Sequence, residues 1–245
     1  MTNAGKLENY VAVITGASSG IGRATALRFA QEGASLALLS RRAPHIEQLA
    51  QDINNLGSEA LAIPTDVSQA AEVGAAIHQV KAHFGHIDIL VNNAGINTPR
   101  RSFAEAGLSD WESVINTDLN GVYYCIHAVL PIMRDQHRGT IVNISSRAAK
   151  FPSAQPGAAY IAAKSGVVGL TYALNEEEWR NGIRACVIEP GEVDTEIMLA
   201  RPVVPSQEQR ASMLTSEDLA ETILFVCSLP DRASIEELYI RPRVR

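Results

Sequence analysis

The sequence predicts an α/β fold in which a doubly wound, parallel sheet of seven strands is covered by helices on both faces. Short apolar, β-rich segments recur along the chain and alternate with amphipathic segments of helical length. Such strict alternation implies parallel neighbours, because each parallel pair needs a crossover connection that carries a helix over the sheet. No linker, internal repeat or low-complexity tract divides the chain, so we expect one domain over residues 1–245, with an ordered core at about 8–242.

The predicted elements follow one another from the first strand to the last. Strands are expected at residues 11–15, 35–40, 60–65, 87–92, 140–145, 183–189 and 237–240. Helices are expected at residues 21–32, 46–56, 72–83, 108–133, 158–179 and 216–229. The two longest connections, residues 96–107 and 192–215, both follow strand ends, which is where open α/β sheets bind their ligands.

Charge and composition indicate a small-molecule partner. The chain is 46% hydrophobic, and its 21 basic and 27 acidic residues give a net charge of -6, which favours neither nucleic acid nor a membrane surface. Residues 1–9 are polar and lack an apolar signal core, and no apolar run reaches the roughly 18 residues that a membrane span needs. We therefore expect a cytoplasmic protein that binds neither nucleic acid nor a membrane.

Neither the cysteines nor the histidines are arranged as metal ligands. Cys125, Cys186 and Cys227 are odd in number and far apart, which favours neither disulfides nor a cysteine metal site. The six histidines are scattered over predicted helices and loops, so a zinc-dependent alcohol dehydrogenase fits poorly. We expect no metal.

A glycine-rich turn joins the first predicted strand to the first helix. The sequence TGASSGIG at residues 15–22 supplies glycines for a tight turn, and the helix that follows offers its positive N-terminus to a pyrophosphate. A simple strand-to-helix corner or a methyltransferase could use a similar turn, but its position directly after the first strand favours a dinucleotide. The candidate cofactor-binding residues in this turn are Gly16, Ser18, Ser19, Gly20, Ile21 and Gly22.

The type of cofactor is expected to depend on the end of the second strand. An acidic residue there would bind the ribose 2′-hydroxyl of NAD, whereas this chain has Ser40, Arg41 and Arg42. Two guanidinium groups suit a 2′-phosphate, since each charge-assisted hydrogen bond is worth roughly 1.5–3 kcal/mol. The alternative is that both arginines are solvated charges at the start of a loop. We predict binding of NADP(H) in preference to NAD(H).

Polar residues and glycines also mark the ends of the later strands. Carboxylate and amide side chains there could meet the adenine edge and brace the backbone around the ribose, or could instead cap a helix and form a turn. A second close backbone approach, after the sixth strand, suits the nicotinamide side of the cleft. The candidate cofactor-binding residues at these three places are Asp66 and Val67, then Asn93, Ala94 and Gly95, then Pro190, Gly191, Val193 and Thr195.

Tyr160 and Lys164 lie four residues apart in a predicted helix, which stacks their side chains one turn apart on the same face. A tyrosine phenol titrates at about 10, so it exchanges protons poorly near neutrality unless a cation favours the phenolate. An ammonium about 4 Å away supplies about 4 kcal/mol at an effective dielectric near 20. Such pairs also arise by chance, as a half-buried ring beside a solvated amine. Ser145 and Ser146, at the end of the fifth strand, are expected in the same cleft, where a hydroxyl could hold a carbonyl oxygen.

Together these motifs resemble the short-chain dehydrogenase/reductase family, in its compact single-domain subgroup. TGxxxGIG, NNAG, a serine before YxxxK, and PGxVxT follow one another in the family's order, over residues 11 to about 242. The resemblance implies a Rossmann-like fold and reversible hydride transfer between NADP(H) and a carbonyl or secondary alcohol, by a ketone reductase or a hydroxy-acid or alcohol dehydrogenase.

The resemblance also implies roles for individual residues. Tyr160 would be the general acid and base, and Lys164 would favour the phenolate and hold the nicotinamide ribose. Ser146, rather than Ser145, would position the carbonyl. Members of the family are commonly homotetramers, so we expect a homo-oligomer, either a tetramer or a dimer.

Asp118 departs from the family's pattern. The family usually has an asparagine here, which supports a water relay to the lysine. Asn116 and Asn120 lie two residues to either side, about 200° around a helix, so neither can take its place. We expect Asp118 to serve as a catalytic residue that accepts from a water, holds Lys164 more tightly than an amide would, and partly offsets its effect on Tyr160.

A protein that senses the cofactor without turnover is the main alternative to an enzyme. The intact set of Ser146, Tyr160 and Lys164 favours the enzyme, although Asp118 leaves the alternative open. The chain is too short for the added substrate domain of a sugar-nucleotide epimerase.

The substrate is the second open question. Residues 192–215 are expected to cover the bound substrate, and their Met198, Leu199, Pro202, Val203 and Val204 indicate an apolar lid. The other possibility is an acidic substrate group that meets one of four basic residues. These are Arg100, Arg101, Arg147 and Lys150.

Overall fold

The computed structural model describes residues 5–243, and seven strands within them form one parallel sheet. The strands are β1 (Val11–Thr15), β2 (Ser35–Ser40), β3 (Ala60–Pro64), β4 (Ile89–Asn92), β5 (Gly139–Ile144), β6 (Ile183–Pro190) and β7 (Glu237–Ile240). Their order is β3-β2-β1-β4-β5-β6-β7, and every neighbouring pair is parallel. The predicted fold class is confirmed. Residues 1–4 and 244–245, at the ends of the predicted domain, lie outside the described residues.

Helices connect each strand to the next. They are α1 (Gly20–Gln31), α2 (Ala43–Asn55), α3 (Ala70–Phe84), α4 (Leu108–Ile115), α5 (Gly121–Gln136), α6 (Arg147–Lys150), α7 (Ala158–Glu178), α8 (Gln207–Ala211) and α9 (Ser216–Cys227). A π-helical turn, Asn116–Asn120, joins α4 to α5, and 3-10 turns occupy Trp179–Asn181 and Glu196–Ala200. Within residues 5–243, none of these helices is long and apolar enough to cross a membrane.

The sheet has a buried apolar cluster on each face. Strands β1, β4 and β5 are buried along their whole length, as expected for strands that are covered on both sides. On one face, Ile14 packs with side chains of α1, α2 and α9. On the other face, its neighbour Val13 packs with side chains of α3, α5 and α7. The alternation of successive side chains across each strand therefore builds two cores from one apolar run.

The predicted helix over residues 108–133 is wrong in one respect, because the π-helical turn divides it and α5 continues to Gln136. A π turn closes hydrogen bonds five residues apart, and isolated turns of this kind often occur at functional sites. The short helices α6 and α8 and the turn Glu196–Ala200 were not predicted. The predicted strand ends are within two residues of the observed ones.

The strand order reverses between β1 and β4, which are neighbours in the sheet. Chain connections leave these two strands in opposite directions across the sheet, so a crevice opens beyond their carboxyl ends. The glycine-rich turn and the Asn-Asn-Ala-Gly segment follow these two strands directly.

Candidate active site

Two cavities adjoin beyond the carboxyl ends of the strands. The first cavity has a volume of about 510 Å³ and runs from the end of β2, past β1 and β4, to the segment that follows β6. The second cavity has a volume of about 530 Å³ and extends from β5 and β6 toward the C-terminal residues after β7. Ser146, Tyr160, Ile197 and Met198 line both cavities, so these residues lie where the two meet.

All but one of the predicted site residues line the first cavity. They are Gly16, Ser18, Ser19, Gly20, Ile21, Ser40, Arg41, Arg42, Asp66, Val67, Asn93, Ala94, Gly95, Asp118, Ser146, Tyr160, Lys164, Pro190, Gly191, Val193 and Thr195. The exception is Gly22, which lies beneath the turn. A Cβ atom on Gly22 would be 2.4 Å from the carbonyl oxygen of Gly16, so its bare backbone lets α1 pack against the turn.

The Asn-Asn-Ala-Gly segment braces the glycine-rich turn. Asn93 donates from Nδ2 to the carbonyl oxygens of Thr15 at 3.1 Å and Gly16 at 3.3 Å. Oγ1 of Thr15 accepts from the backbone N-H groups of Asn93 and Ala94, both at 3.0 Å. Gly16 has a φ of 65°, and a Cβ there would be 2.9 Å from the Cα of Ala94. The two strand ends therefore hold each other in a conformation that only glycine fits at position 16.

The end of β2 places a guanidinium group against the glycine-rich turn. Arg42 donates from Nε to Oγ of Ser18 at 3.0 Å, and it also bonds Oγ of Ser19. Its Nη1 lies 2.8 Å from Oε2 of Glu196, which begins the 3-10 turn over the cavity. Arg41 is more exposed, at 61% of its side chain, and lies 4.0 Å from Oδ2 of Asp66. Both arginines thus border the same end of the first cavity.

Asp66 does not cap the helix that follows it. Its Oδ1 accepts from the backbone N-H of Ser68 at 3.0 Å and from the Ser68 hydroxyl at 2.8 Å, which forms a local turn. Helix α3 begins after Gln69, so the alternative interpretation of Asp66 as its N-cap is wrong. The carboxylate of Asp66 remains 29% exposed at the cavity wall.

The two serines after β5 have different environments. Ser145 is 3% exposed, and its hydroxyl donates to the carbonyl oxygen of Lys164 at 2.8 Å. Ser146 caps α6, where its Oγ accepts from the backbone N-H of Ala148 at 3.2 Å. The hydroxyl proton of Ser146 is not used in that contact, and the side chain lines both cavities. The geometry supports Ser146 rather than Ser145 as the hydroxyl that meets a ligand.

Tyr160 and Lys164 lie one turn apart near the beginning of α7. Nζ of Lys164 is 5.5 Å from the centre of the Tyr160 ring and donates to the carbonyl oxygen of Ile144 at 3.1 Å. It also lies 3.3 Å from Oδ2 of Asp118, outside hydrogen-bond geometry. Oδ1 of Asp118 accepts from the backbone N-H of Ile96 at 2.8 Å. Helix α7, the end of β5 and the π turn therefore converge on one ammonium group, and the backbone after β4 holds its carboxylate partner.

Burial and charge act in opposite directions on the Lys164–Asp118 pair. Lys164 is 4% exposed and Asp118 is fully buried. Burial alone would lower the pKa of Lys164, but Asp118 and, to a smaller extent, Tyr160 together outweigh it and hold that pKa above its ordinary value. Burial raises the pKa of Asp118, and the ammonium of Lys164 only partly counteracts this. The ion pair therefore stabilises the charged form of Lys164, but it also places a carboxylate next to that charge.

Asp118 is the side chain of the π-helical turn that faces Lys164. Asp118 is at the centre of the turn and points into the buried site, whereas Asn116 and Asn120 are directed away from it. The two amides bond each other, from Nδ2 of Asn120 to Oδ1 of Asn116 at 2.9 Å. The prediction that neither asparagine replaces Asp118 agrees with this arrangement.

The segment of residues 192–215, hereafter the lid segment, is only partly apolar toward the site. Met198 is 6% exposed and lines both cavities together with Ile197. Leu199, Val203 and Val204 are 60%, 80% and 48% exposed, and Pro202 is exposed as well, so the prediction of an apolar lid is wrong for these four. Short 3-10 and helical turns have too few residues to show a hydrophobic period, so the sequence could not indicate which of their side chains face the cavities.

Two of the four basic residues proposed to meet an acidic substrate group line the second cavity. They are Arg101 and Arg147. Arg100 instead pairs with Asp110 at 3.0 Å, and Lys150 pairs with Glu237. The sequence offered no signal that separates Arg100 from its neighbour, because the difference arises from the path of the loop.

Comparison with known proteins identifies the family. The model of the short chain dehydrogenase family matches residues 10–202. An uncharacterized oxidoreductase of Staphylococcus haemolyticus is 34% identical over 237 residues, which cover 97% of this chain and 99% of the relative.

Two solved structures extend the likeness to cofactor complexes. A metagenomic short-chain oxidoreductase in complex with NADP has a TM-score of 0.85 and 30% identity, and the match covers 98% of this chain and 100% of that one. The 3-ketoacyl-(acyl-carrier-protein) reductase of Brucella melitensis complexed with NADH has a TM-score of 0.88 and 30% identity, over 97% and 98% of the two chains. The chain described here belongs to the short-chain dehydrogenase/reductase family of nicotinamide-dependent oxidoreductases.

Proposed function

We propose that the protein is an NADP(H)-dependent oxidoreductase that interconverts a carbonyl compound and a secondary alcohol. The observation that carries this proposal is that Tyr160 and Ser146 line both cavities. A molecule held in the second cavity would therefore meet a cofactor held in the first beside a phenol and a serine hydroxyl. Both volumes, about 510 and 530 Å³, are typical of small-molecule sites.

The residues of the first cavity fit a dinucleotide. Gly16 and Gly20 both have positive φ angles, and the missing Cβ atoms allow a pyrophosphate to approach the backbone. The N-terminus of α1 opens onto the same place and contributes about half a positive charge. The cavity continues from there to Thr195, which gives room for an adenosine at the β2 end and a nicotinamide beside Tyr160.

Tyr160 and Ser146 would act on the carbonyl oxygen of the substrate. When bound, the nicotinamide supplies or accepts the hydride. Tyr160 would donate its phenolic proton to the oxygen during reduction and take a proton back during oxidation. Ser146 would donate a hydrogen bond to the same oxygen and stabilise the negative charge that develops there. Because Oγ of Ser146 already accepts from Ala148, its proton is directed elsewhere, and the cavity is the side that it lines.

Lys164 would serve both the proton transfer and the cofactor. Its charge favours the phenolate form of Tyr160, because an opposite charge nearby stabilises the ionised state. One of its three N-H donors is directed at the carbonyl oxygen of Ile144, while Asp118 is an ion-pair partner 3.3 Å away, outside hydrogen-bond geometry. A remaining donor would bond a ribose hydroxyl in the first cavity, which Lys164 lines.

The preference for NADP(H) is supported by the charges at the end of β2. Arg41 and Arg42 both line the first cavity, and Ser40 stands where a ribose-binding carboxylate would be needed for NAD(H). Arg42 is already directed at the glycine-rich turn by its bond to Ser18. A 2′-phosphate beside Ser18 would complete a charge-assisted pair with this guanidinium.

The remaining expectations are an oligomer and a cytoplasmic location. Helices α5 and α7 expose aromatic side chains, with Tyr123 50% and Tyr172 40% exposed, which supports a homo-oligomer built on these helices. Light scattering of the purified protein distinguishes a monomer from a dimer or a tetramer.

The proposal is tested with a panel of ketones and aldehydes that differ in size and charge, each with NADPH and with NADH. We expect oxidation of NADPH with at least one carbonyl. Tyr160→Phe is expected to lower kcat by about 100-fold to 10,000-fold and to leave the dissociation constant of NADPH within about threefold. Tyr10→Phe, a change just before β1 and away from both cavities, serves as the matched control and should keep full activity. Tight binding of NADPH without turnover of any carbonyl would instead favour a cofactor sensor.

A further inference from the structure

The second cavity concentrates positive charge in an otherwise acidic chain. It is lined by Arg101, Arg147, Arg201 and Arg241, and by Glu192 as its one acidic residue within residues 5–243. The chain as a whole has a net charge of -6, so this excess of arginine is local. A cavity lined by one sign of charge attracts ligands of the opposite sign.

Arg101 is the most buried of these arginines, at 9% exposure. It donates from Nε to the carbonyl oxygen of Thr98 at 2.6 Å, from Nη2 to that of Ala200 at 2.8 Å, and from Nη1 to that of Gln155 at 3.5 Å. Within residues 5–243, no carboxylate lies within 4.0 Å of its guanidinium. Buried charges are ordinarily paired, because an unpaired one is costly to remove from water.

Arg201 adds a second, mostly buried guanidinium. Its side chain is 14% exposed and pairs with Glu192 at 2.9 Å, whose own side chain is 52% exposed. Burial lowers the pKa of Arg101, and repulsion from Arg201 lowers it further, which indicates that the two cations act on each other. Of these two neighbouring guanidinium groups, only that of Arg201 therefore has a carboxylate partner within residues 5–243, and that of Arg101 is left without a counterion.

We propose that the second cavity binds an anionic group of the substrate through Arg101 and Arg201, so that the substrate is a carbonyl compound that carries a carboxylate or a phosphate. This inference rests on the proposed function, which supplies the carbonyl. The bound anion provides the counterion that Arg101 lacks. Guanidinium groups suit this task because their planar N-H donors match both carboxylate and phosphate oxygens.

The rest of the cavity suits a short carbon chain between the anion and the carbonyl. Phe151, Ile197, Met198 and Tyr239 line it and offer apolar contacts. Tyr160 and Ser146, at its junction with the first cavity, fix where the carbonyl oxygen must lie. The anion and the carbonyl are therefore expected at separate ends of the same molecule.

A purely structural role explains Arg101 less completely. Its three carbonyl partners belong to three separate segments, so the side chain does connect the loop before α4, the loop before α7 and the lid segment. A connection of this kind needs hydrogen-bond donors but no charge. It also leaves the mostly buried position of Arg201 beside Arg101 without a reason.

The experiment compares keto acids with neutral analogues of the same length. The substrates are 3-oxobutanoate, 4-oxopentanoate and 5-oxohexanoate, each paired with its primary amide, and 4-oxopentylphosphonate represents phosphate. With NADPH, kcat/KM is expected to be about 10-fold to 100-fold higher for the best acid than for its amide. The phosphonate identifies which of the two anions is preferred.

The variants assign the preference to the arginines. Arg201→Gln is expected to reduce the acid-to-amide ratio of kcat/KM by at least about 10-fold, mainly through a higher KM for the acid. Arg101→Gln should do the same, and Arg101→Lys should restore part of the ratio while its charge is kept. Arg100→Gln is the matched control, since Arg100 pairs with Asp110 outside the cavity. Equal ratios in Arg201→Gln and the unaltered protein would overturn the assignment.

A binding measurement separates failure of this inference from failure of the proposed function. Calorimetry of the NADP⁺ complex with pentanoate and with pentanamide needs no turnover. Binding of pentanoate about 10-fold tighter than pentanamide supports the anion site even if no carbonyl is reduced. Turnover of neutral ketones with equal binding of the two probes overturns the anion site and leaves the oxidoreductase proposal intact.

Discussion

Nζ of Lys164 lies 3.3 Å from Oδ2 of Asp118, and both side chains are buried. The ammonium group that is proposed to activate Tyr160 therefore acts as half of an ion pair. A buried pair of this kind keeps the lysine charged. Its two opposite charges partly cancel at the position of the Tyr160 phenol, so the net electrostatic effect on the phenol is smaller than that of a lone ammonium. Lys164 is held in place by the carboxylate that also weakens its effect on Tyr160.

We expect Asp118→Asn to shift the pH dependence of alcohol oxidation toward lower pH. The carboxylate holds the pKa of Lys164 above its ordinary value, so its loss lowers that pKa. The loss also leaves the ammonium of Lys164 without the charge that partly cancels it, so we expect half-maximal kcat at a lower pH.

The measurement is kcat against pH for both forms, together with the dissociation constant of NADPH, which we expect to change by less than about threefold. Asp135→Asn is the charge-matched control, because Asp135 is exposed near the far end of α5. Superimposable profiles for Asp118→Asn and the unaltered protein would contradict the prediction.

Glu196 is expected to compete with a 2′-phosphate for Arg42. Its Oε2 lies 2.8 Å from Nη1 of Arg42, and the two side chains are 60% and 42% exposed, which limits the pair to at most about 1 kcal/mol. Glu196→Gln should therefore tighten NADPH binding by up to about fivefold and affect NADH less. Arg42→Gln should weaken NADPH binding by about 10-fold to 100-fold and spare NADH.

Fluorescence titration with each cofactor checks both changes to this pair. Glu208→Gln, an exposed change on α8, controls for the loss of one negative charge from the lid segment. A uniform effect of Arg42→Gln on NADPH and NADH would show that Arg42 does not bind the 2′-phosphate.

Most of the fold could be predicted because its central strands are buried on both faces. Strands such as β1 are then continuous apolar runs, which are easy to locate between helical periods. The π-helical turn could not be predicted, since one added residue in a helix leaves no recognisable pattern at Asn116–Asn120. The turn nevertheless belongs to the site, because it carries Asp118, whose Oδ2 lies 3.3 Å from Nζ of Lys164.

The site was predictable where short motifs occur and was not where long loops determine it. The motif residues of the first cavity, such as Asn93 and Tyr160, are at strand ends and on a helix face, and the parallel sheet brings them to the same edge. The second cavity depends on the lid segment and on the loop before α4. Adjacent arginines in that loop, Arg100 and Arg101, have 64% and 9% exposure, a difference that only tertiary packing creates.

Gly22→Ala is expected to distort the glycine-rich turn and so to weaken cofactor binding. The added Cβ would be 2.4 Å from the carbonyl oxygen of Gly16 and 2.6 Å from Nδ2 of Asn93, so the turn and its brace must move. We expect a loss of about 1–3 kcal/mol in stability and at least about 10-fold weaker NADPH binding. Gly74→Ala is the control, because a Cβ at this exposed position in α3 meets nothing within 4 Å and should add about 0.5–1 kcal/mol of stability.

The carboxyl group of Glu189 is expected to make the protein less stable above neutral pH. It is 1% exposed, and burial, reinforced by the neighbouring carboxylate of Glu237, raises its pKa to about 7 from 4.5. Nζ of Lys150 is 3.7 Å from Glu189 but donates its hydrogen bond to Glu237. The hydroxyl of Tyr172 also donates to Glu237, and these contacts lower the pKa of Glu237 to about 2. The ammonium of Lys150 thus lies near both carboxyl groups, but its hydrogen bond goes to Glu237.

The sign follows from proton binding in the folded and unfolded states. Between about pH 4.5 and 7 the folded protein retains a proton on Glu189 that the unfolded chain has lost, so stability falls as the pH rises through that window. Glu237 has the opposite effect at low pH, where its stabilisation is lost as the pH falls from 4.5 toward about 2.

Glu189→Gln cannot ionise and should be more stable than the unaltered protein above neutrality, by about 1–3 kcal/mol. Urea unfolding at about pH 5, 6.5 and 8 measures this, with the exposed Glu177→Gln on α7 as control. Parallel stability curves for Glu189→Gln and Glu177→Gln would exclude Glu189 as the source of the decline.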